Sequence, residues 1–160
     1  MKLVPTRRTD YGLRALIFLA QQEGGSAPAS DIAPAMGIPT GFLHQVLQEL
    51  QRAGLVSSRP GRTGGYALAR PAGKITIREI VEALEGPFEG SECALRGGPC
   101  HWEDVCALHW VWSSAKEALV AQLDRATLAQ VAEDDAALAA GTKEVPANSH
   151  RRPRRPAKKA

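Results

Sequence analysis

Residues 26–71 constrain the fold more than any other stretch of this 160-residue chain. They run "SAPASDIAPAMG", then "IPTGFLHQVLQELQRAG", then "LVSSRPGRTGGYALARP". The first segment predicts a loop and then a short helix, N-capped by Ser30 and stopped by Gly37. The second predicts a longer amphipathic helix: Leu43, Val46, Leu47 and Leu50 share one face, Thr40 can cap it, and Gly54 stops it. A short helix, the tight "MGIPT" turn and a longer amphipathic helix form a helix-turn-helix pattern. The third segment alternates in "LVSS" and "GYALA" around the turn-rich "RPGRTGG", which predicts a β-hairpin with Arg59 and Arg62 at a basic tip. A hairpin placed directly after such a helix is a wing. In that arrangement the second helix enters the major groove of a duplex and the wing reaches a neighbouring groove or phosphates.

The remaining segments surround this unit with helices. "TDYGLRALIFLAQQEG" carries Leu13, Leu16, Ile17 and Ala20 at helical spacing, with Thr9 or Asp10 as N-cap and Gly24 as the stop. "TIREIVEALEG" predicts a helix capped by Thr76 and ended by Gly86, with Ile77, Ile80, Val81 and Leu84 facing the core. A long helix is expected from about Val105 to Leu123. Its apolar face, through Val111, Trp112, Ala115, Leu119 and Leu123, is too broad for the chain left to cover it, which points to a partner helix from a second copy. "TLAQVAEDDAALAAG" predicts one more short helix. The expected class is mainly α with a small β-wing: a winged helix-turn-helix plus a long dimerisation helix. The expected organisation is a DNA-binding domain over 1–86 and a cysteine-rich loop over 87–106. A dimerisation helix and a C-terminal helix follow over 105–140, then a disordered, proline-rich basic tail over 141–160.

Net charge becomes informative once it is divided. Residues 1–75 carry nine Lys/Arg and four Asp/Glu, a net of +5. Residues 76–149 carry five and thirteen, a net of −8, and residues 150–160 carry six and none. A basic first half beside an acidic second half places a nucleic-acid surface on the first half, against the alternative of scattered solvated charge. Thr40, His44, Gln45 and Gln48 on the exposed face of the second helix are candidate base contacts, because Gln can pair with adenine and His with guanine or phosphate. Arg7, Arg8, Arg59, Arg62 and Tyr66 are candidates for phosphate or minor-groove contacts, with ordinary surface charge, or packing for Tyr66, as the alternative. No apolar run approaches the roughly 18 residues of a membrane span, and the first residues lack a signal-peptide core. A cytoplasmic protein with reduced thiols is expected.

All three cysteines, Cys93, Cys100 and Cys106, fall in "ECALRGGPCHWEDVCALHW". An odd count in a reducing compartment argues against a disulfide framework. Their separation exceeds the two to four residues of typical zinc ligand pairs. Three thiolates spread over a glycine-rich loop suit one face of an iron–sulfur cluster instead, with Gly97, Gly98 and Pro99 letting the backbone pass close to bulky sulfide. Cys106 and His109, three residues apart at the expected start of a helix, can face the same centre. The alternative is three buried free cysteines with His109 in a capping role. His101 is expected at the surface or behind the ligands.

Together these segments resemble the bacterial winged-helix iron–sulfur regulators typified by IscR, the cluster-biogenesis regulator, and NsrR, the nitric-oxide-sensitive repressor. The resemblance extends to about residue 140 and is carried by "TDYGLRALIFLA", "GFLHQVLQELQRAGLVSSRPGRTGGYAL", "ITIREIVEALEG", the three-cysteine loop and "TLAQV". It implies a homodimer that binds double-stranded operator DNA and changes affinity when its cluster is lost or modified. It also implies two schemes for the fourth ligand. In NsrR-like members an aspartate near the start of the first helix, contributed by the partner chain, completes a 4Fe-4S cluster, and Asp10 matches that position. In IscR-like members a histidine three residues after the last cysteine completes a 2Fe-2S cluster, and His109 matches that one. Asp10 as an N-cap is the competing role. The first cysteine gap is one residue longer than in several members, and His44 stands where members differ.

Two other function classes remain open. An iron–sulfur electron carrier would share the cysteine loop but needs neither a helix-turn-helix nor a basic wing. A regulator whose cysteines hold a structural zinc would share everything but the cluster. Enzymatic chemistry is not expected: no nucleophile–base pair stands in a recognisable context, and Gly64-Gly65 belongs to the wing rather than to a phosphate loop.

Overall fold

The computed structural model of the chain describes residues 6–22, 25–61, 64–88 and 106–146. Along these, the elements run α1 (Arg7–Ala20), β1 (Ser26–Ala27), α2 (Ala29–Met36), α3 (Thr40–Arg52), β2 (Val56–Arg59), β3 (Gly65–Leu68), α4 (Ile77–Glu85), α5 (His109–Arg125) and α6 (Leu128–Ala140). Among the described residues there are six α-helices and a small three-stranded antiparallel sheet; the helices and the hairpin are those the sequence predicts, and β1 is an addition.

The helix-turn-helix is built as expected, with its caps shifted. Gly37 ends α2 in the left-handed region at φ 64°, and Ile38 N–H then reaches back to Ala33 O at 2.9 Å. That bond closes the end of α2 and buries Ile38 under the turn. Ser30 and Thr40 are not the caps. Pro28 and Pro39 hold those positions, since proline fixes the φ that helix entrance requires, so Ser30 and Thr40 fall inside the first turns. The α3 stripe Leu43, Val46, Leu47 and Leu50 is at most 1% exposed. It packs against α1, α2 and α4, whose core residues include Leu16, Leu19, Ile32, Ile80 and Leu84. Each such side chain contributes about 1.5–3 kcal/mol on leaving water.

The wing is a hairpin with Val56 opposite Leu68 and Arg59 opposite Gly65. A third strand, β1, pairs Ser26 with Ala67 and Ala27 with Tyr66, so the sheet order is β1-β3-β2. A Cβ at Gly65 would run into the Ala27 carbonyl, so glycine lets β1 close on the hairpin. The sheet thereby anchors the wing to the segment that opens α2.

α1 starts before the expected cap. Its N-cap is Thr6, which puts Thr9 and Asp10 inside the helix. Thr9 is fully buried and its hydroxyl donates to Glu85, the last residue of α4, so it is unavailable for capping. α4 and α6 both open with capping boxes, Thr76 with Glu79 and Thr127 with Gln130. These two openings lie side by side: Ile77 N donates to Ala126 O and Leu128 N to Ile75 O, each at 2.9 Å. That short bridge returns α6 onto α1 and buries Leu128. α5 begins at His109 rather than near Val105. Cys106–Leu108 form a turn closed by His109 N donating to Cys106 O at 2.9 Å. No helix among the described residues is long and apolar enough to cross a membrane.

Candidate nucleic-acid interface and cysteine loop

Burying the apolar stripe of α3 fixes which face it shows. Thr40, Gly41, His44, Gln45, Gln48, Gln51 and Arg52 are exposed on the other side. All four sequence-predicted base-contact residues therefore stand on one open face. Arg52 shares that face, four residues after Gln48 and seven after Gln45. Sequence reasoning passed over it although the same spacing was available. Gln51 Nε2 donates to Ser58 Oγ at 3.3 Å, tying the helix to β2 and hence to the wing. Arg59 is exposed at the end of β2. Tyr66 is half-buried and packs against the core. Arg62 lies outside the described residues.

On the opposite flank of α3 stands the start of α1. Arg7 is exposed. Arg8 Nη1 lies 3.3 Å from Glu49 Oε2 and donates to Leu84 O at the same distance, so its guanidinium bridges α1 to α3 and α4. Tyr11 and Phe42 meet edge-on with ring centroids 5.4 Å apart, and Phe42 keeps 39% of its surface exposed at the leading turn of α3. Behind this flank, Glu85 Oε1 accepts from Thr6 N at 3.0 Å and from the hydroxyls of Thr6 and Thr9. Burial pushes the Glu85 carboxyl up, but those hydrogen bonds and the charge of Arg8 outweigh it and hold the group below the usual carboxylate range.

The cysteine loop follows α4 directly. Cys93, Cys100 and His101 lie outside the described residues. Cys106 is half-buried and begins the turn that His109 closes. His109 is exposed, with Nε2 3.3 Å from Ser113 Oγ. Asp10 is not a cap: it is the fourth residue of α1, and its Oδ1 accepts from Arg14 Nε at 2.9 Å. Among the described residues no three or more His, Cys, Asp or Glu side chains gather as a metal site. Phe88 N donates to Glu82 Oε1 at 3.0 Å where the chain leaves α4. Arg78 bonds Glu82 Oε1 at 3.2 Å and Asp124 Oδ2 at 3.1 Å, joining α4 to α5. α5 itself has no fully buried residue in the single chain. Leu108, Trp110 and Val111 at its start are 50%, 68% and 65% exposed.

A polar-faced second helix, a hairpin beside it and an N-terminal helix packed behind define a winged helix-turn-helix protein of the DNA-binding regulator class. The chain belongs to the Rrf2 family, described as iron-dependent transcriptional regulators, which it matches over residues 5–134. It is 33% identical over 127 residues to the HTH-type transcriptional regulator IscR of Klebsiella pneumoniae, covering 79% of this chain and 77% of that one. Its fold is similar to CymR, the global cysteine regulator of B. subtilis, with a TM-score of 0.71 and 31% identity over 82% of this chain and 97% of that chain. T. potens IscR superposes with a TM-score of 0.67 and 32% identity over 84% and 90% of the two chains. The resemblance read from the sequence is thus established, and the family's activity is regulation of transcription, not catalysis.

Proposed function

We propose that the protein is a cytoplasmic homodimer that binds operator DNA through α3, the wing and the start of α1. Its affinity is set by an iron–sulfur cluster held by Cys93, Cys100, Cys106 and His109. The observation that carries the DNA-binding half is the open face of α3, where Thr40, His44, Gln45 and Gln48 stand together, with exposed Phe42 at the leading turn. Polar side chains that can donate and accept are what base edges in the major groove require. Arg7 and Arg59 are exposed beside that face and neutralise phosphates, and Arg62, by its place in the basic wing sequence, adds to them, while Arg8 and Tyr66 contribute mainly by bracing the scaffold behind it.

Dimerisation is supported by α5. Seventeen residues of helix with no fully buried side chain, led by exposed Leu108, Trp110 and Val111, are poorly suited to face water. A second copy of α5 covers them, and two-fold symmetry then sets two α3 helices against half-sites about 34–36 Å apart.

The donor set suits a cluster. Three thiols leave one position for a non-thiolate ligand, and the turn from Cys106 to His109 keeps those two residues adjacent. If His109 Nε2 donates to Ser113 Oγ, the lone pair rests on Nδ1, the form a metal ligand needs. Asp10 already serves Arg14, so His109 is the better fourth ligand, and with it a 2Fe-2S centre rather than a 4Fe-4S one. Such a centre, when bound, supplies sensitivity to redox state, nitric oxide or iron–sulfur supply. The chain's own part is mechanical. The loop leaves α4 at Glu85, whose carboxylate holds the start of α1, and it re-enters the fold at α5. A cluster gained or lost between those two points therefore acts on elements that carry α3.

Replacing Cys93, Cys100 or Cys106 by Ala one at a time should abolish the visible iron–sulfur absorption and change affinity for a duplex that the full-length protein has selected from a random-sequence pool. If all three variants bind that duplex like the wild type in every redox state, the switch does not exist.

A further inference from the structure

Gly41 is the second residue of α3 and lies on the same exposed face as Gln45, Gln48 and Arg52. Glycine is the poorest helix former after proline, so a glycine inside a helix needs a reason. Two intramolecular reasons are ruled out. Its φ is not positive, so the backbone does not require it. A Cβ built on it meets nothing within 4 Å, so packing does not require it either. Gly12, the other glycine inside a described α-helix, is the contrast: a Cβ there would run into Leu84 Cδ1, so the close packing of α1 on α4 demands it.

No contact or backbone angle within the chain calls for glycine at this position, and the face it occupies is turned outward. The major groove of B-DNA is about 12 Å wide, and an α-helix with its side chains is about 10–12 Å across. A helix seated in that groove has almost no lateral room, and its leading turn enters deepest. We infer that Gly41 is a clearance residue: by carrying no side chain at the leading turn of α3, it lets that helix sit deep enough for Gln45 and Gln48 to reach base edges. It determines the distance between protein and duplex without making a side-chain contact of its own. The inference rests on α3 being the DNA-reading helix.

The test uses the full chain, a duplex it has selected from a random-sequence pool, and the variants Gly41→Ala and Gly41→Leu. A Gln45→Ala/Gln48→Ala double variant serves as the reference. Dissociation constants are measured beside melting temperatures. Gly41→Ala should melt at the same or a higher temperature, because alanine favours the helix and clashes with nothing. Its affinity should nevertheless fall roughly tenfold, the size of the effect expected for one good base contact, and Gly41→Leu should fall further. The opposite signs of the two effects separate clearance from a folding role. If the Gly41 variants bind like the wild type while the reference loses affinity, the inference fails and α3 still reads DNA. If neither binds differently, the inference and the assignment of α3 fail together. A loss of binding that tracks a lower melting temperature makes Gly41 a folding residue and also overturns the inference.

Discussion

Replacing Glu85 by Ala should destabilise the fold by about 2 kcal/mol, although the residue is exposed at the end of its helix. The magnitude follows from its partners. Glu85 Oε1 accepts from Thr6 N and from two hydroxyls, and one of these belongs to Thr9, which has no exposed surface. Solvent screening keeps the bonds from Thr6 near the low end of the usual ~0.5–1.5 kcal/mol. The Thr9 hydroxyl is different. Without Glu85 it becomes a buried donor with no acceptor, at a cost of about 1–3 kcal/mol. For a domain of this size a loss of about 2 kcal/mol lowers the melting temperature by roughly 5–10 °C. The sign with pH is fixed by the lowered pKa. The folded protein holds Glu85 more acidic than the unfolded chain does, so its contribution is complete above the unfolded value of about 4.3 and disappears as pH falls through and below that value. Urea unfolding followed by circular dichroism, on Glu85→Ala, Thr9→Val and the double variant, gives the coupling directly. Valine at residue 9 removes the donor, so Glu85→Ala should cost less in that background by about 1 kcal/mol or more. Equal costs in both backgrounds would refute the link between the two residues. A total cost below about 0.5 kcal/mol would refute the magnitude.

Two further outcomes follow from the surfaces. Arg59→Ala combined with Arg62→Ala should weaken DNA binding and reduce the slope of log affinity against log salt by up to about 1.8, or roughly 0.9 for each phosphate no longer neutralised; an unchanged slope in a salt titration would remove the wing from the interface. The wild type should sediment as the proposed dimer and Trp110→Asp combined with Val111→Asp as a monomer, with the circular dichroism spectrum intact because neither side chain is buried within the chain; a variant that stays dimeric would move the interface away from the start of α5.

What was legible in the sequence is what local chemistry decides. The stripe of Leu43, Val46, Leu47 and Leu50 defines α3 because its spacing has one structural solution. Thr76 as the cap fixes the start of α4, and the turn-rich tip fixes the hairpin. What escaped was decided by distant contacts. β1 has two residues and no measurable period; it exists because Gly65 lets Ala27 approach. α1 begins at Arg7 because Thr9 is claimed by Glu85, 76 positions away. Arg8 looks like any other cation near the N-terminus, and only the fold shows it bridging Glu49 and Leu84. Asp10 fits a cap or a ligand equally well in the sequence, and the fold removes the cap role by placing it inside α1, paired with Arg14. Of the candidate ligands, Cys93 and Cys100 fall outside the described residues, so their part of the site rests on the sequence pattern.

A cluster on Cys93, Cys100, Cys106 and His109 that sets DNA affinity is tested most directly by anaerobic purification of the full chain. Iron and acid-labile sulfide are counted per chain, an absorption spectrum is recorded, and affinity for the selected duplex is measured before and after cluster removal. The expected result is about two iron and two sulfide per chain, with a spectrum altered by His109→Ala and unaltered by Asp10→Ala. Affinity should shift on removal by about tenfold or more, equivalent to about 1.4 kcal/mol. Stoichiometric zinc without sulfide, or an affinity indifferent to the cluster, would contradict it.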